Sequence, residues 1–396
     1  MRIAGIIAEY NPLHWGHLRQ LEQIRALLGE DTAIVCAMGG NFTQRGDFAV
    51  VRKQARAQAA ISSGVDLVLE LPLPWATASA EGFAAGGVQL LAATGLVTDL
   101  VFGSECGDTA PLCRVAEGLL HPDFPALLKK ELSHGVSFAA ARQRAMTRLV
   151  GDDAELLRQP NDILGIEYCK AIARYKLSLH PLALKRTGAA HDGEETDGIA
   201  SASAIRKRLL GGETASLPPA MAALYAAEEK AGRAPVSLQT CERAVLARLR
   251  LLDEADFAAV DDGGEGLYHR FYAAARTATS IGGLLETVKT KRYATARLRR
   301  MLLWVYLGIS PTDRPDAPPY LRVLAANDRG RELLAALRKT AKCPVLVKPA
   351  DVRKLSPEAR ALFAKEARAT DLYTLAFPSL EAAEGGAEWK TSPVML

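Results

Sequence analysis

The run Asn11-Pro12-Leu13-His14-Trp15-Gly16-His17-Leu18-Arg19-Gln20 follows a short apolar segment, Ile3-Ala4-Gly5-Ile6-Ile7-Ala8, and precedes a stretch with helical periodicity. An apolar run feeding a helix through a polar turn is the opening unit of a strand–helix fold. Two histidines bracket a glycine at the mouth of that helix. A helix start offers unpaired N–H groups and a partial positive charge to an anion. Glycine lets a phosphate approach the backbone. Imidazoles donate hydrogen bonds to oxygens whose charge grows in a transition state. A plainer reading exists, since histidines three apart on a helix share a face and need bind nothing. Their position between the first strand and the first helix favours a nucleotide phosphate. A metal pair would need a third ligand nearby, and His121, His134, His180, His191 and His269 are scattered along the chain.

Working outward, the first half alternates strand and helix signals. Short apolar runs at 3–8, 33–38, 67–71, 100–102 and 182–185 suit the buried strands of a parallel sheet. Helical spacing recurs between them: Leu18, Leu21, Ile24 and Leu28, then 52–63, 78–93 and 163–175. The expected fold class is α/β, an open Rossmann-like parallel sheet, with ligands bound beyond the carboxyl ends of its strands. From about Leu217 the pattern is mostly helical, with breaks at Pro218-Pro219, Asp261–Gly264, Gly282-Gly283 and 311–319. These signals predict a nucleotide-binding catalytic domain over 1–212 and a mainly helical domain over 213–380. They also predict a loosely ordered tail over 381–396.

At 396 residues, with 24% charged and 49% apolar residues, the chain has an ordinary globular composition. Six cysteines without a CxxC pair predict free thiols in a reducing compartment. No apolar run reaches membrane-spanning length and no signal peptide is evident, so a cytoplasmic location without a membrane partner is expected. A net charge of +4 names no partner by itself.

Other segments carry candidate chemistry. The loop Gly39-Gly40-Asn41-Phe42-Thr43-Gln44-Arg45-Gly46-Asp47 follows the second strand, and is either a binding loop or a flexible connection. Gly103 precedes Ser104-Glu105 after the fourth strand, where a glycine leaves room for a nucleotide. Asn161 stands where a helix should begin and reads as an N-cap from residue type alone. Ser201, Ser203 and Arg206 bring hydroxyls and a cation to another helix start, suited to outer phosphates, and Arg186 could add a cation. Lys289, Arg292, Arg297, Arg299 and Arg300 would span an arc of roughly 160° on one helix, opposite Leu298, Leu302 and Val305. Nucleic-acid backbone is the natural partner of such a stripe, and a solvated basic face is the alternative.

The HxGH segment is a form of the HIGH signature of enzymes that attack the α-phosphate of ATP and release pyrophosphate. Taken with blocks at 38–46, 160–168, 201–206, 291–300 and 319–334, the chain resembles the bacterial tRNA(Met) cytidine acetate ligase family of the HIGH nucleotidylyltransferase superfamily. The resemblance implies an AMP-forming ligase that activates acetate with ATP, with Mg²⁺ accompanying the nucleotide. It also implies acetylation of the wobble cytidine in the anticodon loop of elongator tRNA(Met). By matching motif, the ATP site would comprise Ile7, Ala8, Glu9, Tyr10, the run from Asn11 to Gln20, Gly103, Asn161 and Arg186. The family usually has Phe and Asn where Leu13 and Trp15 stand, Ser at Gly39, and Glu-Pro at Asp47-Phe48. A small-molecule adenylyltransferase and a non-catalytic nucleotide- or RNA-binding protein are the rival expectations on the same fold.

Overall fold

The computed structural model describes residues 2–186, 200–260, 266–290 and 293–396. Its centre is one eight-stranded sheet, formed by β1 (Ile3–Ala8), β2 (Ala33–Gly39), β3 (Leu67–Leu71), β4 (Asp99–Ser104), β5 (His180–Lys185), β6 (Leu321–Ala326), β7 (Val345–Leu346) and β8 (Val394–Met395). The strand order is β5-β4-β1-β2-β3-β6-β7, with β8 paired to β6. Every residue of β2 and β3 is buried, which is why β2 reads as an unbroken apolar run and β3 as one interrupted only by Glu70.

Pairing is parallel from β5 through β3. The chain steps from β1 to β2 and β3 in one direction, then returns to lay β4 and β5 on the other side of β1. Strand order therefore reverses between β1 and β4. In such sheets the connecting loops diverge at this point and open a crevice beyond the strand carboxyl ends.

The second half is not a separate helical domain followed by a loose tail. Strand β6 adds antiparallel to β3, with Leu67 opposite Ala326 and Leu69 opposite Val323. The tail pairs in turn with β6, Ala325 opposite Val394. The cause is the open edge of β3, whose backbone groups need partners. Charge fixes the arrangement. Lys53 Nζ bridges Glu70 at 2.7 Å and Glu388 at 2.7 Å, and Arg322 contacts both carboxylates, with all four side chains largely buried. Glu388 thus anchors the 381–396 segment to the sheet. A boundary at 212/213 and a loose tail are both incorrect for this chain.

The remaining helices of the second half form their own apolar core, which includes Phe257, Phe271, Leu298, Leu302 and Tyr373. Phe42 and Phe48 from the β2 loop insert into it, joining the two layers. Gly282-Gly283 is not a break. Both glycines lie in the first turn of helix Ile281–Val288, whose N-cap Ser280 accepts the Gly283 N–H at 3.0 Å. Among the described residues no helix is long and apolar enough to cross a membrane.

Candidate active site

His14 is the N-cap of helix Trp15–Leu28, and His17 is its third residue. The two form a reciprocal capping box. His14 Nδ1 accepts the Gly16 N–H at 3.1 Å, and His17 Nδ1 accepts the His14 N–H at 3.1 Å. Both Nδ1 atoms are therefore acceptors, so each neutral ring carries its proton on Nε2. The rings stack with centroids 3.8 Å apart, and Tyr10 meets His17 edge-on at 4.8 Å. Burial, then Arg186 and Arg206, pushes the His14 imidazole down to about 4. Burial, His14 and Arg186 push His17 well below its ordinary value. The pair enters the site neutral, as two fixed N–H donors.

Both rings line a cavity of about 270 Å³ at the β1/β4 switch point. The carboxyl end of β1 contributes Ile7, Ala8, Glu9, Tyr10 and Asn11, and the first helix adds Gly16, Arg19, Gln20 and Gln23. The carboxyl end of β4 supplies Phe102 and Gly103, and the end of β5 supplies Lys185 and, just beyond it, Arg186. A Cβ at Gly103 would stand 3.1 Å from Arg186 Cγ, so glycine leaves space for that arginine. Ser201 caps helix Ala202–Leu210 by accepting the Ala204 N–H at 3.2 Å. Arg206 of that helix donates to the Asn11 carbonyl at 2.8 Å. Two helix starts and several cations thus converge on one polar end. Phe83, Phe102, Leu164 and Tyr168 give the lining an aromatic and aliphatic part, which suits a flat base.

Asn161 is in the cavity wall but is not an N-cap. Helix Pro160–Arg174 begins one residue earlier, and Glu105 covers its start. That carboxylate accepts the Asn161 side-chain N–H at 2.6 Å and the Asp162 N–H at 2.8 Å.

The β2 loop is ordered. Thr43 N–H donates to the Asp47 carbonyl at 2.9 Å, and Phe42 bridges Phe48. Gln44 and Arg45 reach the cavity, and the Gln44 N–H donates to Glu9 Oε1 at 2.6 Å. Beneath the loop, the buried Arg56 guanidinium donates to the carbonyls of Glu9, Gly39, Gly40 and Val51. It locks the ends of β1 and β2 together. Neither Arg56 nor the aromatic wall was singled out in the sequence, because both act through contacts formed only on folding.

The HIGH Nucleotidyl Transferase family profile matches residues 1–388. The chain is 38% identical to the tRNA(Met) cytidine acetate ligase of Fervidobacterium nodosum over 96% of each chain. It is 35% identical to that of Acetivibrio thermocellus over 100% of each. The chain belongs to the tRNA(Met) cytidine acetate ligase family. The crystal structure of apo Thermotoga maritima TmcAL superposes with a TM-score of 0.94 at 34% identity, covering 100% of both chains. The α-thio ATP complex of the same protein gives 0.93 at 34% identity, again over 100% of both.

Several residues expected in the ATP site of this tRNA(Met) cytidine acetate ligase family member lie outside the cavity lining. Leu13 is fully buried in the core and Leu18 packs against it. Pro12 is buried away from the lining. Trp15 points outward, half exposed, and donates its indole N–H to Ser216 at 3.1 Å. Ser203 stands one step back and contacts the Ser201 hydroxyl at 3.1 Å. At the other family departure, Gly39, an added Cβ would rest 3.8 Å from Glu9 Cγ.

The basic residues do not share one helix. Lys289 caps the end of helix Ile281–Val288, and the next helix, Thr295–Leu307, starts beyond it. Arg292 lies outside the described residues. Arg297, Arg299 and Arg300 remain together on the second helix, with Arg297 over the Tyr293 ring at 5.2 Å. Arg299 Nη1 lies 3.7 Å from Asp47, and Arg300 donates to the Gln44 carbonyl at 3.3 Å. The helix thus packs on the same loop that forms part of the cavity wall.

Gly46 makes that packing possible. Its φ is +77°, and a Cβ there would lie 2.4 Å from Arg300 N and 2.5 Å from Arg299 C. Backbone atoms cannot step aside. Gly46→Ala should destabilise the fold by more than about 1–2 kcal/mol and slow turnover by displacing Gln44 and Arg45. Urea midpoints and turnover rates check both effects.

Proposed function

We propose that this chain is an AMP-forming ligase that activates acetate as acetyl-adenylate and acetylates N4 of the wobble cytidine of elongator tRNA(Met). Family membership supports the reading. The observation that carries it at the site is the paired imidazoles, which present Nε2–H donors into a switch-point cavity rimmed by Arg186, Arg206 and two helix starts.

The chemistry follows from that arrangement. Acetate is a poor electrophile, so its oxygen first attacks the α-phosphorus of ATP and displaces pyrophosphate. Charge accumulates on the α-phosphate oxygens, where His14 and His17 donate without adding charge of their own. Arg186, Arg206 and the backbone N–H groups at Ser201 hold the outer phosphates, with Ser203 supporting Ser201. The aromatic wall and Gly103 receive adenosine. The described residues gather no group of three or more His, Cys, Asp or Glu that could hold a metal ion. Any Mg²⁺ would arrive with the nucleotide, and no step is assigned to it. In the second step N4 attacks the mixed anhydride and AMP leaves. An anticodon loop suits this step because its bases are unpaired and turn into a pocket at low cost. Such a reaction belongs in the cytoplasm, where tRNA and ATP meet.

Incubation with ATP, acetate and total tRNA, followed by nucleoside mass analysis, tests the reading. N4-acetylcytidine confined to tRNA(Met) is the expected product. An AMP-linked small molecule in place of modified RNA would sink it. For the RNA, Arg297 and Arg300 are assigned to the phosphate backbone, next to the loop that borders the cavity. Replacing both by alanine should weaken tRNA binding and lower its log–log salt slope by about 1–2. Titrations at several salt concentrations measure this, and an unchanged slope removes these arginines from the interface.

A further inference from the structure

Acetyl transfer must place a proton. The cytidine N4 lone pair is delocalised into the ring, so N4 is a weak nucleophile that needs a base as it attacks. The described cavity lining offers few acceptors. Both histidines are neutral and turn N–H groups outward, because backbone donors occupy their Nδ1 atoms. Arg19, Arg45, Lys185, Arg186 and Arg206 are cations. Burial holds the Tyr10 and Tyr168 phenols protonated by raising both. Glu9 is the one carboxylate in that lining.

Its placement suits the task. Glu9 directly follows β1 beside the switch point, with its backbone carbonyl held by Arg56 and one carboxylate oxygen held by the Gln44 N–H. Burial raises its carboxyl above the ordinary value, against the pull of the Gln44 N–H, Arg206, Arg56 and Arg45. Tyr168 faces it from helix Pro160–Arg174.

We infer that Glu9 is the general base of the transfer half-reaction. Its carboxylate takes the N4 proton as the N–C bond forms and the C–O bond to AMP breaks. The bonding pair leaves with AMP, and the resulting carboxylic acid returns its proton to solvent. The inference rests on the ligase reading proposed above.

The test separates the two half-reactions in the full-length protein. Acetate-dependent ATP–pyrophosphate exchange reports activation, and single-turnover acetylation of tRNA reports transfer. In Glu9→Gln, whose amide oxygen still accepts the Gln44 N–H, transfer should fall by ~10²–10⁴-fold, while exchange falls far less. Wild-type transfer should rise with pH along an acidic limb that the variant lacks. Glu9→Asp should recover part of the rate and keep the limb. Equal losses in both half-reactions, or no loss in transfer, overturn the assignment. Should the glutamine variant fail to fold, a wild-type transfer rate independent of pH through the acidic range overturns it instead. Absence of acetate-dependent exchange in the wild type counts against the ligase reading, not against Glu9.

Discussion

His14→Asn and His17→Gln should each lower acetate-dependent ATP–pyrophosphate exchange by about 10²–10³-fold, the usual loss when one oxyanion donor is removed. These substitutions are chosen because each histidine also caps the helix. Alanine would remove the cap and cost about 1 kcal/mol of stability on top of the chemistry. Asparagine is a good N-cap, and glutamine at the third position completes a capping box. The variants therefore keep the helix start but lose the Nε2–H groups. Because burial pushes His14 down to about 4 and His17 well below its ordinary value, neither ring should change charge across neutral pH, so these rings should leave the exchange rate flat there. Binding of tRNA should stay within about twofold of wild type. Exchange at wild-type rates in both variants would remove the imidazoles from the reaction.

The second large effect concerns stability. Glu388 is fully buried between Lys53 and Arg322 and also accepts the Thr370 hydroxyl at 2.6 Å. Glu388→Gln leaves two buried cations short of a counter-charge, which should cost about 3–5 kcal/mol. Denaturant titration reads the loss directly. The same cluster sets a pH dependence. Burial alone would raise Glu388, but Lys53 and Arg322 hold it down to about 2. Its contribution is thus present above the ordinary carboxylate range and is lost as pH falls toward 2. Glu366 behaves oppositely. Burial and Glu70 raise it to about 7, so its contribution is complete below the ordinary range and is lost as pH rises through 7. Glu366→Gln should flatten the decline on the neutral side, and Glu388→Gln the decline in acid. A stability profile unchanged in either variant would show that these carboxylates do not govern it.

The strands that carry the site were legible because they are buried on both faces. An apolar run such as Ala33–Gly39 has no other place in a folded chain. The histidine pair was legible because capping and phosphate chemistry both act within a few residues. Strand β6 was not. Its second residue, Arg322, is charged, and the partners that neutralise it, Glu70 and Glu388, lie far away in sequence. The tail misled for the same reason. Glycine and charge usually mark a solvated end, yet Glu388 is wholly enclosed. Residue type alone pointed to a cap at Asn161, a role that Glu105 performs from another loop while Asn161 joins the cavity lining. Helical spacing placed Lys289 on one helix with Arg297, Arg299 and Arg300, whereas Lys289 closes the helix Ile281–Val288 and the arginines belong to Thr295–Leu307.

The late arrival of β6 on the outer side of β3 has a practical meaning. A fragment cut at residue 212 would keep every strand from β1 to β5 and both histidines, yet it would bare the mainly apolar strand Leu67–Leu71, with Glu70 stripped of Arg322. Unprotected rims of that kind recruit other chains. Excising the nucleotide-binding half for study would therefore produce a sticky intermediate, not a miniature enzyme.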